Sequence, residues 1–90
     1  MKNLIIIDIK NNKDTLNKLQ IKLFKMGAEW NNSHNPFEYK TDLNKYDLKT
    51  PLIFIINNNK LSWTTGQKGY KSEYDEKFDK ISCEDFLLED

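Results

Sequence analysis

Arginine is absent from this 90-residue chain, and cysteine and histidine occur once each, as Cys83 and His34. The lone thiol excludes an intramolecular disulfide, and one Cys with one His falls short of the ligand set of a structural zinc site. Calcium fares no better, because "DLNKYD" places Lys45 at a ligand position and no Glu stands at the twelfth. No metal and no cofactor is expected. Glycine is confined to positions 27, 66 and 69, so a phosphate cradle would have to come from "TTGQKGYK". That stretch lacks both the spacing of a P-loop and its strand-to-helix setting. An excess of charge is missing as well: 14 basic residues face 14 acidic ones, which argues against a chain built to neutralise nucleic-acid phosphates. The longest apolar runs, "LIII" and "LIFII", are far shorter than the roughly 18 residues of a membrane span. "MKNLIIIDIKNN" has neither the h-region nor the cleavage site of a secretory signal. A soluble cytoplasmic protein with no membrane partner is the expectation.

What the chain does contain is enough for one modest core. Apolar residues make up 38%, including two tryptophans, four tyrosines and five phenylalanines, and large aromatic side chains can compensate for small size. Residues 1–90 are expected to form a single domain. "LIIIDI" at 4–9 is apolar at nearly every position and too short for a helix, as a central strand would be, with Asp8 its one polar member. The period then changes. Leu16, Leu19, Leu23 and Met26 recur at spacings of three and four, which predicts an amphipathic helix over 14–26. Asn12 or Asp14 can cap its start, and Gly27 stands where helices end in a left-handed residue. "AEW" at 28–30 begins a second strand, and "NNSHNP" interrupts it with turn-forming residues. "FEYKT" reads as a short strand with Phe37 and Tyr39 on one face, and "DLNKYDLKTP" as a turn-rich connection. "LIFII" at 52–56, the turn "NNNK" and "LSW" predict a hairpin. Ser82, Asp85 and the pair Ile81/Phe86 have the arrangement of a capped helix start with its hydrophobic staple, so a short C-terminal helix is expected. The fold class is α+β: a small sheet of about four strands, one main amphipathic helix packed on it and a short C-terminal helix.

No catalytic constellation stands out. Cys83 at a helix start and His34 in a polar loop are the only thiol and imidazole, and an enzyme would need them beside each other with a third orienting group. Glu84 and Asp85 oppose any thiol activation by the helix terminus, so Cys83 reads as a small buried hydrophobe and His34 as a surface residue. Glu84, Asp85, Glu89 and Asp90 read as a solvated acidic helix end. Of Trp30 and Trp63, at least one is expected in the core, whereas several of the four tyrosines must stay at the surface. "LSWTTGQKGYKSEYD" fits neither a helix nor a strand period, and its segment 65–72 reads as a surface loop. A binding surface is therefore expected from the loop at 31–39 and the stretch 63–74, with Tyr39, Trp63 and Tyr70 as anchors and Lys68 and Lys71 as rim charges.

The order of landmarks resembles a diffuse group of small bacteriophage-encoded α+β proteins. The shared features are a helix followed by Gly-x-x-Trp, here Gly27 and Trp30, a central apolar strand pair, and a C-terminal Ile-Ser-x-Glu-x-Phe/Leu element, here Ile81, Ser82 and Phe86. The resemblance implies a non-enzymatic protein that inhibits a host or anti-phage defence component by stoichiometric binding. The alternative is a small-molecule binder that sequesters a nucleotide signal, stacking its base on the same aromatics and meeting its phosphate with Lys68 or Lys71. Pairing into a homodimer is open wherever a strand lies at a sheet edge.

Overall fold

The computed structural model describes residues 2–31, 33–65 and 78–89. Its organising strand is β1 (Leu4–Ile9), which lies between β3 (Leu52–Asn57), antiparallel to it, and β5 (Asp79–Ser82), parallel to it. A strand with neighbours on both sides can bury both faces, and Ile5 and Ile6, which point to opposite faces, are both fully buried. Asp8 then has to be kept out of the core. Simple alternation would place it beside Ile6 on the buried face, but the pairing with β3 slips between Ile6 and Ile9 and Asp8 adopts φ 58°. Aspartate tolerates this left-handed conformation better than most residues. The bulge leaves Asp8 exposed and returns Ile9 to the same core as Ile6.

Strand β3 turns into β4 (Lys60–Thr65) through Asn58 and Asn59, at φ 53° and 67°. Two consecutive positive φ angles match the twist of the flanking strands, and asparagine supplies them at low cost. β2 (Glu29–Trp30) runs parallel to the start of β4, so the sheet order is β2-β4-β3-β1-β5. The sheet thus has five strands rather than about four. The additional one is β5, whose "DKIS" carries a single apolar residue and gives too little alternation to announce a strand.

Helix α1 (Lys13–Lys25) crosses one face of the sheet, and Leu16, Leu19 and Leu23 meet Ile6, Ile9, Leu52, Phe54, Ile56 and Leu61 in one core. Asn12 caps it, accepting from the Thr15 amide at 2.8 Å. The helix closes on Gly27 at φ 103°, where the Gly27 and Ala28 amides donate back to the Phe24 and Leu23 carbonyls. This double closure fixes the exit toward β2. It also corrects the expected stripe: Met26 is the C-cap and largely exposed, and Ala28 takes the buried place beyond Leu23.

Helix α2 (Cys83–Leu88) packs on the same side through Cys83 and Phe86. Ser82 caps it by accepting from the Asp85 amide at 3.1 Å, and the half-buried Ile81 joins the core that contains Phe86. At the other end, the Lys22 ammonium of α1 donates to the Phe86 and Glu89 carbonyls and lies over the Phe86 ring. A cation there satisfies the helix's terminal acceptors and opposes its dipole.

Leu19→Ala should lower stability by about 2–5 kcal/mol, since the side chain is fully enclosed. Urea titration checks this, and a loss near zero would contradict the packing. In the same assay Ser82→Ala should cost about 0.5–2 kcal/mol through loss of the α2 cap.

Candidate functional site

The described residues of the connection 31–51 form no helix and no strand. "FEYKT" was expected to be a short strand, but residues 37–41 make no ladder. The chain enters through a bond from the Trp30 amide to the Pro36 carbonyl at 2.8 Å, and the backbone of Lys40 is taken by a side chain instead of a neighbouring strand.

That side chain is Gln20, fully buried on α1. Its Nε2 donates to the Leu16 and Lys40 carbonyls, both at 2.8 Å. Its Oε1 accepts from the Lys40 amide at 2.6 Å and the Trp30 indole at 3.1 Å. Two donors and two acceptors exhaust an amide's capacity. Trp30 is enclosed, shares its indole N–H with the Glu38 carbonyl at 3.0 Å, and packs edge-on against Phe54 at 5.6 Å. The buried tryptophan is therefore Trp30, and its partner Gln20 had no part in the expected site. The signal for it existed: Leu16, Gln20 and Phe24 form one i, i+4 row beside the leucine stripe.

Tied down in this way, the connection presents its aromatics on the flank of α1. Phe37 and Tyr39 both pack on Phe24, at ring centroid distances of 5.5 and 5.4 Å, yet remain 52% and 53% exposed. The two rings do share a face, without a strand to put them there. Further along, Asn44 and Asp47 close a compact turn. The Asp47 amide donates to the Asn44 carbonyl, and the Asp47 carboxylate accepts from the Lys49 and Thr50 amides and from the Thr50 hydroxyl. The Thr50 hydroxyl and amide hold the Asp47 carboxyl below its ordinary pKa. Asn11 fastens the turn to the end of β1 by donating to the Asn44 carbonyl at 3.2 Å, and Leu43 and Thr50 are buried on either side. Between them Tyr46 stands 92% exposed and Leu48 63% exposed.

Of the expected anchors, Tyr39 and Trp63 are described. Trp63 lies on β4 opposite Phe54, on the face that carries α1, and is 37% exposed. Among the described residues no ring contact joins it to Tyr39. Lys68, Tyr70 and Lys71 lie outside the described residues, as does all of the loop 65–72 except Thr65, which ends β4. Cys83 is buried, which raises its thiol pKa, and His34 is exposed in the connection.

Among the grooves that the described residues line are three on this surface. Two, of about 450 and 470 Å³, flank the end of β1, and Asp8 and Lys10 line both. The third, about 540 Å³, runs between Lys18, Ile21, Lys22 and Lys25 of α1 and Leu87 and Glu89. No helix among the described residues is long and apolar enough to cross a membrane. Comparison with protein-family models, with curated proteins and with solved structures found no match.

Gln20→Met keeps the volume but leaves the Lys40 amide and carbonyl without their partners. It should destabilise the fold by about 1–3 kcal/mol for each group left buried and unpaired, measured as a shift in the urea midpoint. The Asp47 turn predicts a pH effect of known sign. Because folding lowers this carboxyl's pKa, the stabilisation is present above the ordinary aspartate pKa of about 4 and is lost as pH falls through the lower folded value. Unfolding midpoints between pH 7 and pH 2 should therefore fall more steeply for the parent than for Asp47→Asn; identical profiles would contradict the assignment.

Proposed function

We propose that this chain is a binding protein that acts by stoichiometric contact with another protein and not by catalysis. The observation that supports it is the display on 31–51. Of the eight large apolar side chains left exposed among the described residues, four, Phe37, Tyr39, Tyr46 and Leu48, belong to that one connection; Ile21 and Met26 come from α1 and its cap, Trp63 from β4 and Leu88 from the end of α2. Long connections without secondary structure are uncommon in compact domains and usually functional. Protein-binding surfaces are rich in aromatic residues held by a rigid frame. Tyr39 keeps the anchoring role expected for it, with Phe37 beside it and Tyr46 at the projecting turn. Inhibition of a host or anti-phage defence component is the specific form of this reading that the phage-type resemblance supplies. Asp8 and Lys10 both line each groove at the end of β1, so their charges offset and neither groove offers a phosphate a net positive setting; a nucleotide is the second reading.

The test is affinity capture from lysate with the wild-type chain, followed by Tyr46→Ala and the double variant Phe37→Ala/Tyr39→Ala on whatever protein is captured. Each should weaken binding on the order of tenfold or more, and Tyr46→Ala should leave the unfolding midpoint unchanged because its ring is almost wholly in solvent. Undiminished binding by both variants would remove 31–51 from the interface. A thermal shift with nucleotides, in the absence of any captured protein, would transfer the reading to the small-molecule alternative.

A further inference from the structure

Beside the aromatic patch, helix α1 presents a surface of different chemistry. Phe24 carries Phe37 and Tyr39. Three residues earlier, Ile21 is 42% exposed and forms, with Leu87 of α2, the apolar part of the groove of about 540 Å³. Positions three apart are neighbours on a helix surface, so patch and groove are continuous across α1. The other residues lining the groove are Lys18, Lys22, Lys25 and Glu89. The lysines follow the i, i+4, i+7 spacing of one helical face and span roughly 10 Å along the axis.

The chain balances 14 basic residues against 14 acidic ones, so three lysines beside one glutamate make a local excess. Little among the described residues cancels it. There the Lys22 ammonium meets only uncharged groups, the Phe86 and Glu89 carbonyls and the Phe86 ring, whose centre is 4.4 Å away. Lys18 pairs with Asp14 at 3.1 Å, but both side chains are exposed, and such a surface pair gives way readily to a better-placed carboxylate. Neither Lys25 nor the Glu89 carboxylate enters an ion pair among the described residues. We propose that the partner in the reading above, on which this inference rests, lays an acidic protein segment in this groove, with an apolar side chain between Ile21 and Leu87 and carboxylates on Lys18 and Lys25. Such a segment matches both halves of the groove. A polyphosphate would leave Ile21 and Leu87 uncovered. A lipid surface fits poorly too, because the apolar stripe with which a helix enters a membrane interface is here buried in the core.

The probe is a synthetic peptide of about ten residues, long enough to cover the lysine row whether helical or extended, in which leucines alternate with pairs of aspartate or glutamate. A twin carries asparagine and glutamine in place of the acids. In an NMR titration of the isotope-labelled wild-type chain, the acidic peptide should shift the amides of Lys18, Ile21, Lys22, Lys25 and Leu87, and the neutral twin should not. Raising salt from about 0.05 M to about 0.5 M should weaken the affinity on the order of tenfold, because screening shortens the reach of exposed charges. Lys18→Glu/Lys25→Glu should weaken it at least as much, whereas Phe37→Ala/Tyr39→Ala should leave it intact. Equal shifts with the neutral twin, shifts that map elsewhere, or an affinity indifferent to salt and to the lysine variant would each overturn the proposal. So would the absence of any shift, and phosphatidylglycerol vesicles or a single-stranded oligonucleotide that then moved the same amides would name the occupant instead. The wild-type titration decides even if a variant fails to fold. On a captured protein the two readings separate. Binding lost in Phe37→Ala/Tyr39→Ala but undiminished in Lys18→Glu/Lys25→Glu removes the acidic segment and keeps 31–51 in the interface; the reverse keeps the groove and removes 31–51.

Discussion

The buried amide of Gln20 is the constraint on which the rest of the exposed surface depends. A glutamine in a core is costly unless every polar atom is matched. Here the match is complete only if α1, Trp30 and the backbone of Lys40 are all in place together. Loss of one partner leaves the remaining donors and acceptors enclosed and unpaired, so the amide favours a single arrangement of the three segments over looser alternatives. An apolar residue at this position would fill the same space without selecting any path for the chain above it. The irregular course of the chain around Lys40 is thus specified by a polar contact and not by a periodic pattern.

The elements legible in the sequence were those whose physics is local. The α1 leucine stripe, the Gly27 closure, the Asn58–Asn59 turn and the Ser82 cap each depend on residues within about one turn of each other, and all occur as expected. The hidden ones depend on partners distant in the chain. β5 is a strand because it lies alongside β1 in register from Leu4↔Asp79 to Ile7↔Ser82, and its own residues carry little strand signal. "FEYKT" alternates correctly for a strand but has no neighbour to pair with, since Gln20 takes the backbone of Lys40 and Pro36 has already turned the chain. Met26 satisfies the helical spacing yet sits at the cap, where Gly27 redirects the backbone before its side chain can reach the core.

The candidate surface was legible only in part for the same reason. Tyr39 could be picked out as an aromatic in a loop, but its pairing with Phe37 over Phe24 needs the fold to bring 24 and 37–39 together. Tyr46 was indistinguishable from the other tyrosines until Asp47, Asn44 and Asn11 were seen to hold its turn closed and against the body. Trp63 was selected as a binding anchor for being aromatic. Its place opposite Phe54, on the face that carries α1, follows from the strand pairing, which cannot be read from residues 61–65 alone.

Rigid support beneath an exposed aromatic changes what that aromatic can do. A tyrosine on a mobile segment must be ordered when it binds, at about 0.5–1.5 kcal/mol for each immobilised side chain in addition to the loss of backbone freedom. The turn at 44–50 has already met most of that cost during folding, through the bonds of Asp47 and the burial of Leu43 and Thr50. Phe37 and Tyr39 are similarly fixed against Phe24. Exposed apolar side chains on a fixed frame gain little for the isolated domain, whose core is closed beneath them. Their free-energy return comes only when another surface covers them, and that is the physical case for reading 31–51 as built for contact.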